Sequence, residues 1–153
     1  MEKINSLSGM LDLISNKADK SEFADKIFLT EKYLKKIFQN YGMSEIRTPA
    51  LEDTSLFKRS VGDASDIVNK ELYSFNDKND KNIVLRPEGT AGVIRAIIQK
   101  KIDLEAHKFW YMGPMWRYER PQKGRYRQFY QAGVEILGPV SYTHLRAHET
   151  FHD

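Results

Sequence analysis

The chain of 153 residues contains no cysteine, so it has neither disulfides nor thiolate metal sites. Its apolar runs are all far shorter than the roughly 20 residues that span a bilayer, and no apolar signal-peptide core follows Met1. Repeats and low-complexity tracts are missing as well. These absences exclude a disulfide-stapled secreted scaffold, and they predict a cytoplasmic protein with no membrane partner.

What is present is the composition of an ordinary globular domain. Hydrophobic residues make up 41% and charged residues 29% of the chain, and the net charge is +3. That charge is too small to indicate nucleic-acid binding by itself, so local patterns carry the functional information. Hydrophobic periodicity predicts an α+β fold, in which an antiparallel sheet is flanked by helices.

In the first half of the chain, stretches with periodic apolar residues are separated by residues that end helices and strands. A helix is predicted over residues 24–40, and Gly42 lies where a helix C-terminus favours glycine. A strand is predicted over residues 45–48, because Pro49 ends it. Residues 56–63 are predicted to form a loop.

The second half is predicted to begin with a hairpin of residues 71–75 and 82–85 around a turn-forming stretch. A helix is then expected to begin near Thr90, which would be an N-cap or first-turn residue. A further strand is predicted from residue 108 onward.

The most informative segment runs from Gly113 to Glu135 and is typical of two antiparallel strands joined by a basic loop. The strand period of two places Arg117 and Glu119 together on the first strand. On the second strand the same period aligns an aromatic ring, an amide, a missing side chain and a carboxylate: Phe129, Gln131, Gly133 and Glu135. This polar face predicts a floor for a planar base and a small polar ligand, with Arg117 placed to meet a phosphate.

The loop between these strands is strongly basic. Residues 117–127 contain five Lys or Arg against the single Glu119, and such a cluster makes a local field that attracts phosphates. A solvated charged hairpin is the alternative interpretation. The ordered aromatic and carboxylate face favours a binding site.

The same segment resembles motif 2 of the class II aminoacyl-tRNA synthetases, which reads aromatic-Arg-x-Glu, a loop, and Arg-x-x-x-Phe. Residues 116–119 and 125–129 fit this pattern. The full wording of the motif, together with R-P-E-G-T-A-G at residues 86–92, is similar to the histidyl-tRNA synthetase family. The helix, strand and proline of residues 24–49 resemble motif 1, which builds the dimer interface of class II enzymes. The resemblance covers residues 9–138, and it implies that residues 1–138 are part of a class II catalytic domain.

The resemblance implies a ligase that activates histidine with ATP to histidyl adenylate and transfers it to tRNA(His). It therefore implies L-histidine, ATP and tRNA(His) as substrates, Mg²⁺ on the phosphates, and a homodimer of the full-length protein. This segment identifies no metal ligand. Such phosphoryl chemistry depends mostly on positioning and on neutralising charge.

The motifs also imply two sets of site residues. A nucleotide set would hold ATP, with Arg117 as the catalytic residue at the α-phosphate: Arg117, Glu119, Arg125 and Phe129. An amino-acid set would hold histidine, with Glu135 facing the imidazole and the others at the α-amino group: Glu88, Thr90, Gln131 and Glu135. Alone, Thr90 is equally a helix cap, Glu88 a solvated loop carboxylate, and Glu135 a surface residue on an edge strand.

The chain departs from the family pattern at several places. It reads S-G-M-L-D at residues 8–12 where the family often has R-G-M-x-D, and it has Tyr130 where histidine often stands. After Gly138 the histidine-specific arginine loop, motif 3 and the anticodon-binding domain do not appear. We therefore expect the 153-residue chain alone to be inactive.

The last residues carry a different signal. The run from His148 to His152 matches the zinc-protease pattern H-E-x-x-H, but it lies one residue from the end and leaves little chain for a third ligand. Residues 140–150 resemble one reading frame of a common sequencing adapter. We therefore predict that residues 139–153 are a non-native tail on a truncated catalytic domain, and we assign no metal site.

Two other functions compete with the ligase. A regulatory paralogue, of the kind that pairs with ATP phosphoribosyltransferase, keeps the fold without aminoacylating. Such paralogues tend to lose the ATP-binding residues, whereas this chain has all six motif residues that discriminate the two: Glu88, Arg117, Glu119, Arg125, Phe129 and Glu135. A plain nucleic-acid-binding module would use the basic hairpin, but Glu119 and Glu135 would repel a phosphate backbone.

Overall fold

The computed structural model describes residues 4–15, 22–61, 71–102, 106–120, 122 and 124–138. The predicted adapter-derived tail and the H-E-x-x-H match fall in residues 139–153, outside the described residues. Everything below concerns the described part of the chain.

The long N-terminal helix is confirmed. Helix α1 spans Glu22–Asn40, and a left-handed Gly42 with φ of 67° ends it. The amide of Gly42 donates to Gln39 O at 3.0 Å and the amide of Met43 donates to Phe38 O at 3.0 Å. These two bonds form a Schellman motif, which satisfies the last carbonyls of the helix.

Strand β1, Ser44–Glu45, is shorter than the strand predicted over residues 45–48 and starts one residue earlier. The amide of Ile46 still donates to Trp110 O at 2.9 Å. Beyond it the carbonyl of Thr48 accepts a hydrogen bond from the Arg86 side chain at 2.8 Å. The Thr48 carbonyl is thus bonded to a side chain and not to a neighbouring strand, so β1 ends before Thr48.

The central sheet has the order β1-β5-β6. Strands β5, His107–Trp116, and β6, Gln128–Leu137, are paired antiparallel over their whole length. Strand β1 runs parallel to β5. The predicted pair of long antiparallel strands is therefore confirmed. The prediction that Arg117 and Glu119 lie on the first strand is wrong, because β5 ends at Trp116 and both residues follow it in the loop.

A second sheet has the order β2-β4-β3 and contains the predicted hairpin. Its strands are β2 (Leu51–Asp53), β3 (Ser74–Asn76) and β4 (Asn82–Leu85). The hairpin turn is held by the carboxylate of Asp77, which accepts from the amides of Asn79 at 2.7 Å and Lys81 at 3.0 Å. Strand β2 was not predicted.

The loop predicted over residues 56–63 is wrong over residues 56–61, because helix α2 spans Thr54–Val61; residues 62–63 lie outside the described residues. Asp53 begins this helix: its carboxylate accepts from the amide of Ser55 at 2.9 Å and from the hydroxyl at 2.7 Å. These bonds to Ser55 hold the pKa of Asp53 at about 2. Phe57 is fully buried against Val84, so a cap and a core contact explain the helix.

Helix α3, Thr90–Gln99, confirms the helix predicted to begin near Thr90. Its buried residues Val93 and Ile97 form a core cluster with Tyr111 and Met115 of β5. Successive strand residues point to opposite faces, and on the other face the Trp110 ring stacks on Phe38 of α1 at 5.3 Å. The β5–β6 pair is thus packed between α1 and α3, and the α+β prediction is confirmed.

Candidate functional site

The predicted polar face lies on the α3 side of the β5–β6 pair. Along β6 the side chains alternate between half-buried and exposed positions, and the half-buried ones include all four predicted face residues: Phe129, Gln131, Gly133 and Glu135. The register sets them opposite Met115, Gly113, Tyr111 and Phe109, respectively. Polar groups on a half-buried face need partners, and the start of α3 supplies them.

The segment before α3 caps the helix through Glu88. The Glu88 carboxylate accepts from the amide of Thr90 at 2.6 Å and from the amide of Ala91 at 2.9 Å. The N-cap residue itself is Gly89, which has no side chain to offer. Thr90 is therefore the first residue of the helix, in agreement with one of the two predicted options, and its hydroxyl is directed elsewhere.

That hydroxyl joins α3 to the polar face. Thr90 Oγ1 donates to Glu135 Oε1 at 2.7 Å, and the amide of Gly89 donates to Gln131 Oε1 at 3.0 Å. The structure thus brings all four residues of the amino-acid set together at the N-terminus of α3. Thr90 is therefore not the helix cap. Glu135 does lie on the edge strand β6, but its carboxylate is bonded to α3.

Tyr111 is a central residue of the site that the sequence interpretation missed. Its buried ring lies between two glycines, and a Cβ on either Gly89 or Gly133 would overlap the ring atoms. Burial raises the pKa of Tyr111, its hydrogen bond with Thr90 opposes that rise, and the charge of Glu135 adds to it. Both glycines are required because the ring fills the space of a side chain. The sequence alone does not predict this contact, because it depends on the register between β5 and β6.

Arg117 is fixed between the segment before α3 and strand β6. Its Nε donates to Pro87 O at 3.0 Å, and its guanidinium lies over the Phe129 ring, 5.1 Å from the centroid. Its amide donates to Arg127 O at 2.9 Å. The guanidinium and the ring of the nucleotide set therefore contact each other, as a cation–π pair.

The other two members of the nucleotide set lie in the loop. Arg125 Nη1 is 3.7 Å from Glu119 Oε2, and the Arg125 side chain is mostly exposed. Arg127 Nε donates to Glu119 O at 3.2 Å, and its guanidinium lies 4.1 Å from the centroid of Tyr118. Because the Arg125 side chain is exposed and lies far from Glu119, this pair contributes at most about 1 kcal/mol, so Arg125 is available to a competing anion.

Arg86 is a second residue that the sequence interpretation did not single out. It donates through Nη1 to Thr48 O at 2.8 Å and Thr48 Oγ1 at 3.2 Å, and through Nε to Pro114 O at 3.2 Å. Burial lowers the pKa of Arg86, and the charge of Glu52 opposes that effect. A Cβ on Gly113 would be 3.0 Å from this guanidinium. Arg86 therefore ties the segment before α3 to strand β5 and to the segment between β1 and β2.

Within the described ranges, no group of three or more His, Cys, Asp or Glu side chains is arranged to hold a metal ion. In the same part of the chain, no helix has the length and apolar character needed to cross a membrane. The site has carboxylates, an amide and a hydroxyl at one end. At the other end it has Arg117 over the Phe129 ring and the loop pair Arg125 and Glu119.

Comparison with known proteins places the chain in a family. A family model described as histidyl-tRNA synthetase matches residues 20–146. The histidine–tRNA ligase of Sulfurimonas denitrificans is 54% identical over 140 residues, which are 90% of this chain and 33% of the relative. That of Nitratiruptor sp. is 58% identical over 121 residues, 74% of this chain and 30% of the relative. The chain spans about a third of the length of the curated relatives it matches.

Solved structures agree with the fold. The apo histidyl-tRNA synthetase of S. aureus aligns with a TM-score of 0.67 at 36% identity, covering 88% of this chain and 29% of that one. A Bacillus halodurans protein described as an ATP phosphoribosyltransferase regulatory subunit/histidyl-tRNA synthetase aligns with a TM-score of 0.70 at 23% identity, covering 92% and 35%. The second likeness concerns the fold alone.

Proposed function

Because the chain belongs to the histidyl-tRNA synthetase family, we propose that it is the amino-terminal part of the catalytic domain of a histidine–tRNA ligase. In this proposal residues 1–138 are catalytic-domain sequence and residues 139–153 are a non-native tail. The ligase joins the histidine carboxylate to the α-phosphorus of ATP and releases pyrophosphate. The histidyl group then passes from the adenylate to tRNA(His). We place the enzyme in the cytoplasm.

One observation carries the proposal: the bond of Thr90 to Glu135 and the bond of Gly89 to Gln131 close one end of the polar face. Together with Glu88 they gather carboxylate, hydroxyl and amide groups at the N-terminus of α3. These groups are complementary to an ammonium and to an imidazole N–H. An apolar side chain against the Glu135 carboxylate would leave its charge with no partner beyond the Thr90 hydroxyl, so the arrangement selects histidine over an apolar isostere.

The nucleotide set supplies the other half of the reaction. We assign Arg117 to the α-phosphate, where a guanidinium forms two parallel hydrogen bonds with phosphate oxygens. Arg125 would reach the terminal phosphates, since its contact with Glu119 is long and exposed. Phe129 would stack under adenine, and Glu119 would hold the adenine end. All four lie on one hairpin, which fixes their relative positions.

Magnesium enters this proposal only as an ion that accompanies ATP phosphates. The described residues offer no carboxylate cluster for a resident metal, so no step is assigned to it. The work of the chain is to orient two substrates and to neutralise the charge that accumulates at phosphorus.

We also propose that the full-length enzyme is a homodimer. Helix α1 packs on the sheet through Phe38, yet it leaves large apolar side chains exposed on its outer side: Leu29, Tyr33 and Ile37. Exposed apolar clusters of this kind mark interfaces. Their place in the element that resembles motif 1 supports a contact with a second copy.

Neither alternative function is proposed. The curated relatives that match at about half identity are histidine–tRNA ligases, whereas the likeness to a regulatory subunit rests on a structure with 23% identity. A nucleic-acid-binding module would not need carboxylates bonded into the polar face.

The proposal is tested by calorimetric titration of the chain with histidine, comparing the native sequence with Glu135→Gln. We expect the native chain to bind histidine and Glu135→Gln to lose at least about tenfold in affinity, since a charged acceptor is replaced by a neutral one. Glu45→Gln is the matched control, because Glu45 is a carboxylate that pairs with Arg47 on the other side of the sheet. Equal binding by native and Glu135→Gln chains, or no preference for histidine over phenylalanine, would contradict it.

A further inference from the structure

The N-terminal segment makes a contact that the proposed function does not use. Residues 7–10 form a turn in which the amide of Met10 donates to Leu7 O at 3.0 Å. The Gly9 carbonyl accepts from the amide of Arg127 at 2.7 Å and from the amide of Gln128 at 3.1 Å. We call this turn the N-terminal clasp. It fastens the first residues of the chain to the start of β6.

The clasp acts on the residue that closes the basic loop. The Arg127 carbonyl accepts from the amide of Arg117 at 2.9 Å, while the Arg127 guanidinium donates to Glu119 O at 3.2 Å and stacks on Tyr118. Arg127 therefore joins the two arms of the loop through three contacts. The clasp adds a fourth contact through the Arg127 amide. Arg117 and Arg125 both belong to this loop.

Gly9 is required at the clasp for two independent reasons. Its φ of 79° lies in the left-handed region that favours glycine. A Cβ at this position would also lie 3.0 Å from Arg127 Cγ and 3.1 Å from Arg127 N. The glycine of the S-G-M-L-D stretch is thus explained by its approach to the loop, while Ser8 departs from the family pattern without disturbing that approach.

The clasp is not part of the hydrophobic core. Its own Leu7 and the flanking Ile4 and Leu11 are all exposed, so its loss removes little buried area. The bonds that join the amino-acid set, Thr90 to Glu135 and Gly89 to Gln131, involve no residue of the clasp. Its effect is therefore confined to the loop end of the site.

We propose that the N-terminal clasp is a positioning element for the nucleotide: by holding Arg127 it sets Arg117 and Arg125 for the phosphates of ATP. The inference rests on the proposed function. Its consequence is a split between the two substrates, in which loss of the clasp weakens ATP binding and leaves histidine binding unchanged.

Two variants remove the clasp, namely Gly9→Val and a chain lacking residues 1–10. Gly42→Val is the matched control, because Gly42 also has a positive φ, but a Cβ at this position would have no neighbour within 4 Å. Amide hydrogen exchange measured by NMR reports on the clasp directly. We expect the amides of Arg127 and Gln128 to exchange about tenfold faster in both clasp variants, and at the native rate in the control. Unchanged exchange in both clasp variants would overturn the proposal.

Calorimetric titrations with ATP and with histidine provide the functional readout. We expect the ATP affinity of both clasp variants to fall about tenfold and the histidine affinity to stay within about twofold of native. An unchanged ATP affinity, or an equal loss for both ligands, would overturn the inference while the proposed function stands. A native chain that binds neither ligand would overturn the proposed function, and the positioning role with it.

Discussion

The two ends of the candidate site are built differently. At the amino-acid end, short hydrogen bonds from Thr90 and Gly89 fix Glu135 and Gln131 before any ligand arrives. At the nucleotide end, Arg125 is mostly exposed and lies 3.7 Å from Glu119. The difference indicates a preorganised set of polar groups for a small ligand beside a loop in which Arg125 can exchange its partner. A preorganised pocket favours selectivity, because its polar groups are costly to leave unpaired.

We expect the largest effect from a substitution at the amino-acid end of the site. Gly133→Ala places a methyl group in the space that the Tyr111 ring occupies, and overpacking of this kind costs about 3 kcal/mol. Urea denaturation measures the loss. Ala132→Val is the control, since Ala132 is the preceding residue and is exposed on the other face. If Gly133→Ala lost no more free energy of unfolding than Ala132→Val, the Tyr111 ring would have room to move.

A second prediction sharpens the difference between the ends through arginine chemistry. Arg117→Lys removes the forked donor and its contact with Phe129, so we expect ATP affinity to fall about tenfold. Arg125→Lys keeps a mobile cation in the exposed loop and should cost about threefold or less. Titration with ATP ranks the two variants. A larger loss for Arg125→Lys would reverse the assignment of roles.

A third prediction concerns the link between Tyr111 and the amino-acid set. Tyr111→Phe keeps the ring but removes the hydroxyl that is hydrogen-bonded with Thr90. We expect a loss of about 1 kcal/mol in the free energy of unfolding and severalfold weaker histidine binding. Tyr130→Phe removes the hydroxyl of an exposed residue on the opposite face and should change neither quantity. If both variants behaved alike, Tyr111 would be only a packing residue.

The smallest expected effect lies outside both ends, at the start of α2. Asp53 has its pKa lowered from 3.8 to about 2 by its bonds to Ser55. A lowered pKa means that the charged cap stabilises the fold above pH 3.8, and that this contribution is lost as the pH falls towards about 2. Asp53→Ala should cost at most about 1 kcal/mol at neutral pH. The difference from native, followed by thermal unfolding, should vanish near the lower pH; a constant difference would contradict the cap.

The sequence predicted those parts of the fold that depend on residues close together in the chain. Period-two alternation located the polar face of β6, and glycine chemistry located the end of α1 at Gly42. The cap at Asp53 was overlooked, and with it helix α2, although an Asp before an apolar pair is a start signal. Tyr111 and Arg86 were missed for a different reason. Their roles depend on elements far apart in the chain, and no spacing within one element reports such contacts.

The site residues themselves were predicted from motif resemblance, and the structure adds their mutual arrangement. Their roles towards histidine and ATP stay predictions until ligands are tested. The most direct test is an NMR titration of the isotopically labelled chain with histidine. We expect the backbone amide chemical shifts to change most at the histidine-binding face and little in the basic loop. The residues of that face are Thr90, Gln131, Gly133 and Glu135. Shifts that move in the loop alone, or nowhere in the described chain, would contradict a histidine site on this face.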